Sequence, residues 1–125
     1  MKRRYILLSL LFLLALWYFL VPRNAVSGEY RIHEVEQNGV YITDRLDEAT
    51  LDELEALLSQ AKCRRWSNPL GTHPLENSVC ILGTDSSGPV LFCLAGSIDR
   101  YTAEDHELIH GKKLLEQIQE LLENT

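Results

Sequence analysis

The chain has 125 residues, with twelve Lys or Arg against eighteen Asp or Glu and a formal net charge of −6. That length holds one domain with one modest core and excludes multi-domain schemes. The acidic excess argues against nucleic acid and anionic lipid headgroups as ligands.

Lys2, Arg3 and Arg4 open the chain, and behind them Tyr5 to Val21 is a run of 17 residues without a charge, Ser9 being its one clearly polar member. As a helix this run covers about 25 Å, the lower limit for a hydrocarbon core of about 30 Å, with Arg4 and Arg23 placed to snorkel. Tyr5, Trp17 and Tyr18 fall near its ends, where amphipathic rings favour the headgroup zone. Three basic residues precede the run and Arg23 alone follows closely. The positive-inside bias therefore predicts a single-pass protein of the cell membrane, with a cytoplasmic N-terminus and an extracytoplasmic domain after Pro22. The competing reading is a secretory signal cleaved after Ser27, because Ala25-Val26-Ser27 offers small residues where signal peptidase inspects them; the product would be secreted. The apolar run exceeds the roughly 7 to 15 residues usual in such signals, which favours a retained anchor. The expected organisation is a basic tip and transmembrane anchor over 1–23, a short tether over 24–28 and an α+β domain over 29–125.

Within the domain, Glu29 to Glu36 and Val40 to Thr43 flank Asn38-Gly39, the dipeptide suited to a tight turn that needs positive φ twice. Ile32 and Val35 differ in parity, which predicts a bulge near His33, itself read as a surface strand residue. Thr50 with Glu53 reads as a capping box. Leu51, Leu54, Leu57, Leu58 and Ala61 then form one apolar helical stripe that ends in Lys62, Arg64 and Arg65, charges that suit a helix C-terminus. Arg64-Arg65-Trp66 reads as a basic last turn before a packing Trp, with an anion- or peptide-binding corner as the alternative. Asn68-Pro69, Gly71 and Pro74 mark a loop that carries His73.

Ser78 to Thr84 and Pro89 to Ala95 form a second hairpin centred between Ser86 and Ser87. Val79, Ile81, Phe92 and Leu94 share one face, and Cys80, Leu82, Leu91 and Cys93 the other; strands this apolar are expected to be central or covered. The same centring opposes Cys80 to Cys93, which admits either a strained disulfide or two packed thiols, with Cys63 left over. Near the C-terminus, Leu114, Leu115, Ile118, Leu121 and Leu122 make an apolar stripe on a helix from about Lys112 to Glu123.

Between hairpin and helix lies His106-Glu107-Leu108-Ile109-His110. On a helix this spacing puts two His on one face as zinc ligands, with the Glu as general base toward a metal-bound water. Gly111 disfavours a helix there and reads as a turn. No third ligand is within reach, and strand spacing suits residues 106–110 better. No cofactor is otherwise indicated; zinc enters only through His106 and His110, and a catalytic role only through Glu107.

Several short stretches together resemble a family of small single domains of unknown function that sit behind a membrane anchor or lipoprotein signal in Gram-positive bacteria. They are Ile42-Thr43-Asp44 before the first helix of the domain, Leu57-Leu58 with Ala61-Lys62 and Arg65 closing it, Pro69, the doubly apolar hairpin, and Ile109-His110-Gly111 entering the last helix through Leu114-Leu115. The resemblance implies a strand over residues 101–110 and supplies neither activity nor site residues; the chain departs from it in having no lipobox cysteine and three internal ones. The expected fold is thus an N-terminal transmembrane helix followed by two β-hairpins packed with two helices, in the order β-β-α-β-β-α with a further strand before the last helix. The expected role is a binding or interaction module near the membrane surface, with the bilayer and a protein as partners. The alternatives are a zinc metallopeptidase-like hydrolase and an inhibitor or accessory subunit of a membrane complex.

Overall fold

The computed structural model describes residues 2–67 and 76–123. The architecture is α+β: an apolar N-terminal helix, then an antiparallel sheet with two further helices. The expected loop around Asn68-Pro69, Gly71 and Pro74, with His73, lies outside the described residues, as does the side chain of Trp66.

Helix α1 (Lys2–Leu20) buries none of its residues, in keeping with a run that is apolar on all sides. After Pro22 the chain enters the sheet at once. Strand β1 (Arg23–Asn24) pairs with β4 (Lys62–Ser67), Arg23 opposite Cys63 and Asn24 opposite Lys62. Residues 24–28 therefore do not hang free as a tether. The Ala25 N–H donates to the Ala61 carbonyl at 2.9 Å, the Ser27 N–H to Asp85 Oδ2 at 2.7 Å, and Val26 is only 5% exposed.

Strand β2 (Arg31–Gln37) turns through Asn38 and Gly39, at φ 53° and 84°, into β3 (Val40–Tyr41). Both turn residues have the positive φ expected of that dipeptide, and the register of β2 on its other neighbour slips between Ile32 and Glu34, beside His33. Helix α2 (Glu48–Ser59) is capped by Asp47 and not by Thr50: Asp47 Oδ1 accepts the Thr50 N–H at 2.8 Å, and Thr50 lies buried in the first turn. The extended backbone that a cap requires falls at Asp47, three residues earlier than the capping-box reading placed it.

Lys62, Arg64 and Arg65 also depart from the sequence expectation. They belong to β4 and not to a helix end, because extended spacing lets Cys63 turn inward opposite Leu108 with charged neighbours on either side. Beyond residue 75, β5 (Ser78–Asp85) and β6 (Gly88–Ala95) pair through eight positions, then β7 (Arg100–Ala103) and β8 (His106–Leu108) complete a meander. The full order is β1-β4-β8-β7-β6-β5-β2-β3. Both edge strands are two residues long, which leaves little backbone for another chain to pair with.

Helices α2 and α3 (Gly111–Glu123) cover one face. Leu54, Leu58, Leu114, Leu115, Ile118 and Leu122 join Val35, Val79, Ile81, Phe92 and Leu94 in a single core. Tyr30 lies within it, its hydroxyl donating to the Val90 carbonyl at 3.0 Å and its ring edge-on to Phe92 with centroids 5.4 Å apart. That ring fits because Gly83 has no side chain: a Cβ there would come within 2.6 Å of the Tyr30 ring and 2.3 Å of the Arg31 carbonyl oxygen. Gly111, read from sequence as a turn, instead begins α3, and the left-handed residue is His110 at φ 54°. The glycine is required by close approach, since a Cβ would meet the Tyr101 Cβ at 2.2 Å.

Candidate functional site

The HExxH stretch does not take the helical form that its reading as a zinc motif requires. His106 and Glu107 are adjacent on strand β8, so they point to opposite faces, while His110 stands in the turn before α3. His106 is half-buried and its Nδ1 lies 2.9 Å from the Arg64 carbonyl oxygen, which ties β8 to β4. Glu107 is exposed. The reading of His106 and His110 as zinc ligands with Glu107 as base required one helix face, and the strand removes it. Among the described residues no group of three or more His, Cys, Asp or Glu side chains is disposed around a common metal position.

The helix side of the molecule carries shallow hollows. One of about 290 Å³ lies between α2 and α3 and is lined by Leu57, Lys62, His110 and Lys113 among others. Another, of about 390 Å³, lies where Asn77 and Tyr101 meet α3; there Gln119 Nε2 donates to Asn77 Oδ1 at 2.7 Å. Neither brings a nucleophile together with a base.

Chemistry is concentrated on the opposite face of the sheet, which neither α2 nor α3 covers. Register places Tyr41, Glu36, Cys80, Cys93, Thr102 and Glu107 in one row across six strands, β3, β2, β5, β6, β7 and β8. Leu82 and Leu91 face each other in the next row. Cys80 is half-buried and Cys93 is 6% exposed, and neither belongs to the hydrophobic core. Both are free thiols, as is Cys63.

The hairpin fixes which kind of pair the two cysteines form. With Ser86 and Ser87 as a two-residue loop, Asp85 and Gly88 are the closing hydrogen-bonded pair, and such pairs alternate with non-hydrogen-bonded ones along the ladder. Pro89, which has no N–H, then falls at a non-hydrogen-bonded position, as it must. Leu91 falls at another; its N–H donates instead to Glu104 Oε1 at 2.7 Å and its carbonyl accepts the Glu104 N–H at 2.9 Å. Cys80 and Cys93 occupy the next, where side chains approach most closely. The two thiols act on each other: the neighbouring Cys93 thiol lowers Cys80 below the ordinary thiol range, against burial and the nearby Glu36 carboxylate, while the Cys80 sulfur and burial raise Cys93. Thr102 Oγ1 in turn donates to the Cys93 carbonyl at 3.4 Å. Cys63 is different: burial pushes its thiol up, and Arg23 and Arg65 offset this only in part.

Sequence reasoning found the opposition of Cys80 and Cys93 and expected strands this apolar to be central or covered; β5 and β6 are central, each with a neighbour on both sides. The turn Glu104-Asp105, at φ 49° and 64°, which brings Thr102 and Glu107 alongside, carries no glycine or asparagine to announce it. No protein-family model matches the chain, and no curated protein or solved structure matches it either.

Proposed function

We propose that this chain is a membrane-anchored interaction module whose α+β domain works against the bilayer surface. The observation that carries this is α1. It is long and apolar enough to cross a membrane, and its side chains, Leu11, Phe12, Leu14 and Trp17 among them, are exposed with no cover from the domain. Apolar surface on that scale needs a non-aqueous partner.

The start of the domain supports a retained anchor over cleavage after Ser27. That cut would remove β1 from the edge of the sheet, Val26 from the core and the Ser27 N–H from Asp85. At the far end of α1, the Arg65 guanidinium stacks 4.1 Å from the Tyr18 ring centroid and its Nε donates to the Val21 carbonyl at 3.3 Å. Lys62, Arg64 and Arg65 all belong to β4, so the strand nearest the helix end is basic in a domain that is otherwise acidic. This suits headgroups at the helix end and repulsion above them. Lys2, Arg3 and Arg4 favour a cytoplasmic N-terminus.

Expression of the full chain, alkaline carbonate extraction of membranes and protease treatment of intact cells test the reading. Retention in the carbonate pellet with loss of the domain to external protease is the expected result. Release of a soluble form beginning at Gly28 would overturn it.

A further inference from the structure

We propose that Cys80 and Cys93 form a thiol–disulfide exchange site, with Cys80 as attacking sulfur, Cys93 as resolving sulfur, and small disulfides that carry positive charge as preferred partners. The assignment does not depend on whether α1 crosses a membrane.

Three observations carry it. The register puts the two thiols directly opposite at a non-hydrogen-bonded position, where Cα atoms are about 4.5 Å apart, inside the range of about 4.4–6.8 Å that a disulfide spans but near its short end. A bond can therefore form without unpairing β5 from β6, and it is held under strain, the condition of a disulfide that is readily reduced again. Exposure is unequal: Cys80 is open to solvent in part and Cys93 is not, so an incoming disulfide meets Cys80 first. The surroundings select the partner. Leu82 and Leu91 form an apolar floor beside the thiols, suited to the methylenes that flank a disulfide, and the row carries a carboxylate on either side, Glu36 opposite Cys80 and Glu107 beyond Thr102.

Cys80 gives its proton to water and its thiolate attacks one sulfur of an organic disulfide; the S–S bond breaks, one thiolate leaves and takes up a proton, and Cys80 holds a mixed disulfide. Cys80 no longer carries a negative charge opposite Cys93, so the Cys93 thiol can lose its proton to water. It then attacks the Cys80 sulfur and expels the second thiolate. One disulfide has been reduced to two thiols, and the protein dithiol has been oxidised to Cys80–Cys93 with two electrons transferred. A strained product bond runs the reverse sequence when thiol is in excess.

The full chain, reduced and held in mild detergent, is exposed to cystamine or to oxidised glutathione and followed by intact mass and peptide mapping. In the wild type a Cys80–Cys93 cross-linked peptide is expected with no retained adduct, formed about five-fold faster with the cationic disulfide than with the anionic one; high salt or Glu36→Gln should narrow that gap. Cys93→Ser should trap one cysteamine on Cys80, and Cys80→Ser should react about ten-fold more slowly. Wild-type mapping decides the matter even if a variant fails to fold. Persistence of both free thiols in excess cystamine, or adducts confined to Cys63, would overturn the site; equal trapping in the two variants would overturn the assignment of roles.

Discussion

Replacing Gly83 by Ala tests how the core is closed around Tyr30. Two contacts are at stake. A Cβ would lie 2.6 Å from Tyr30 Cζ and 2.7 Å from its hydroxyl, and 2.3 Å from the carbonyl oxygen of Arg31 on the paired strand β2. The ring could swing away, but a buried aromatic is worth about 3–5 kcal/mol and its hydroxyl bond to Val90 would be lost with it. The Arg31 carbonyl is backbone, so relief there means opening the β2–β5 ladder. Overpacking costs about 1–3 kcal/mol, and backbone involvement places this case at the upper end even after the roughly 0.5–1 kcal/mol gained from a stiffer unfolded chain. The expected loss is about 2–3 kcal/mol, or about 10–20 °C in Tm for a domain of this size. Thermal unfolding of the full chain in mild detergent, followed by near-ultraviolet circular dichroism, measures it. A change within about 0.5 kcal/mol would refute the packing account. Tyr30→Ala combined with Gly83→Ala separates the two contacts, because the Arg31 clash remains when the ring is gone.

Three further outcomes follow from other sites. Tyr30 is buried near Asp85 and Glu104, and desolvation first, then those charges, raises its phenol well above the ordinary value. The folded state therefore keeps a proton the unfolded state loses above about pH 10, so stability should be intact below that pH and fall above it by up to about 1.4 kcal/mol per pH unit; Tyr30→Phe should flatten the slope in alkaline unfolding curves. Asp105 sits at φ 64°, a region that glycine enters without the steric cost a Cβ adds, so Asp105→Gly should raise the urea midpoint by the equivalent of about 0.5–1 kcal/mol, and a loss would show that the Asp side chain holds the turn. For Asp85, desolvation raises the carboxyl, but hydrogen bonds from Ser27, Ser87 and Gly88 together outweigh it and hold the group below its usual range. Its contribution is present above the unfolded value and lost on acidification through the folded one; Asp85→Asn should weaken that acid dependence and speed proteolysis near residues 27 and 86.

The parts of the fold that could be read from sequence are those where one residue type has one structural use. Asn38-Gly39 announces a turn with two positive φ values, the α3 leucines repeat with helical spacing, and counting about Ser86-Ser87 opposes Cys80 to Cys93. The parts that could not are those where tertiary pairing overrides local signals. Lys62, Arg64 and Arg65 suit a helix C-terminus, yet Cys63 is drawn inward between Arg23 and Leu108, and the sheet claims them. Glu104 is a poor residue for a tight turn, and its place is set by its side chain, which satisfies the Leu91 N–H that β7 does not reach. For the thiol pair, register was legible because it depends on counting alone. Which face α2 and α3 leave uncovered was not, since it depends on where the two helices come to rest. The HExxH spacing misled for a related reason: it describes positions on a helix, and residues 106–108 are a strand.

The junction between α1 and the sheet has a mechanical consequence. Only Val21 and Pro22 separate the last helical residue from β1, and Arg65 grips both the Tyr18 ring and the Val21 carbonyl, so there is no hinge of several loose residues between them. With α1 in a bilayer as proposed, a tilt or rotation of the helix is passed to β4 as torque and turns the whole sheet. The bearing of the thiol face toward or away from the membrane would then be set by the helix, as a rudder is set by its stock.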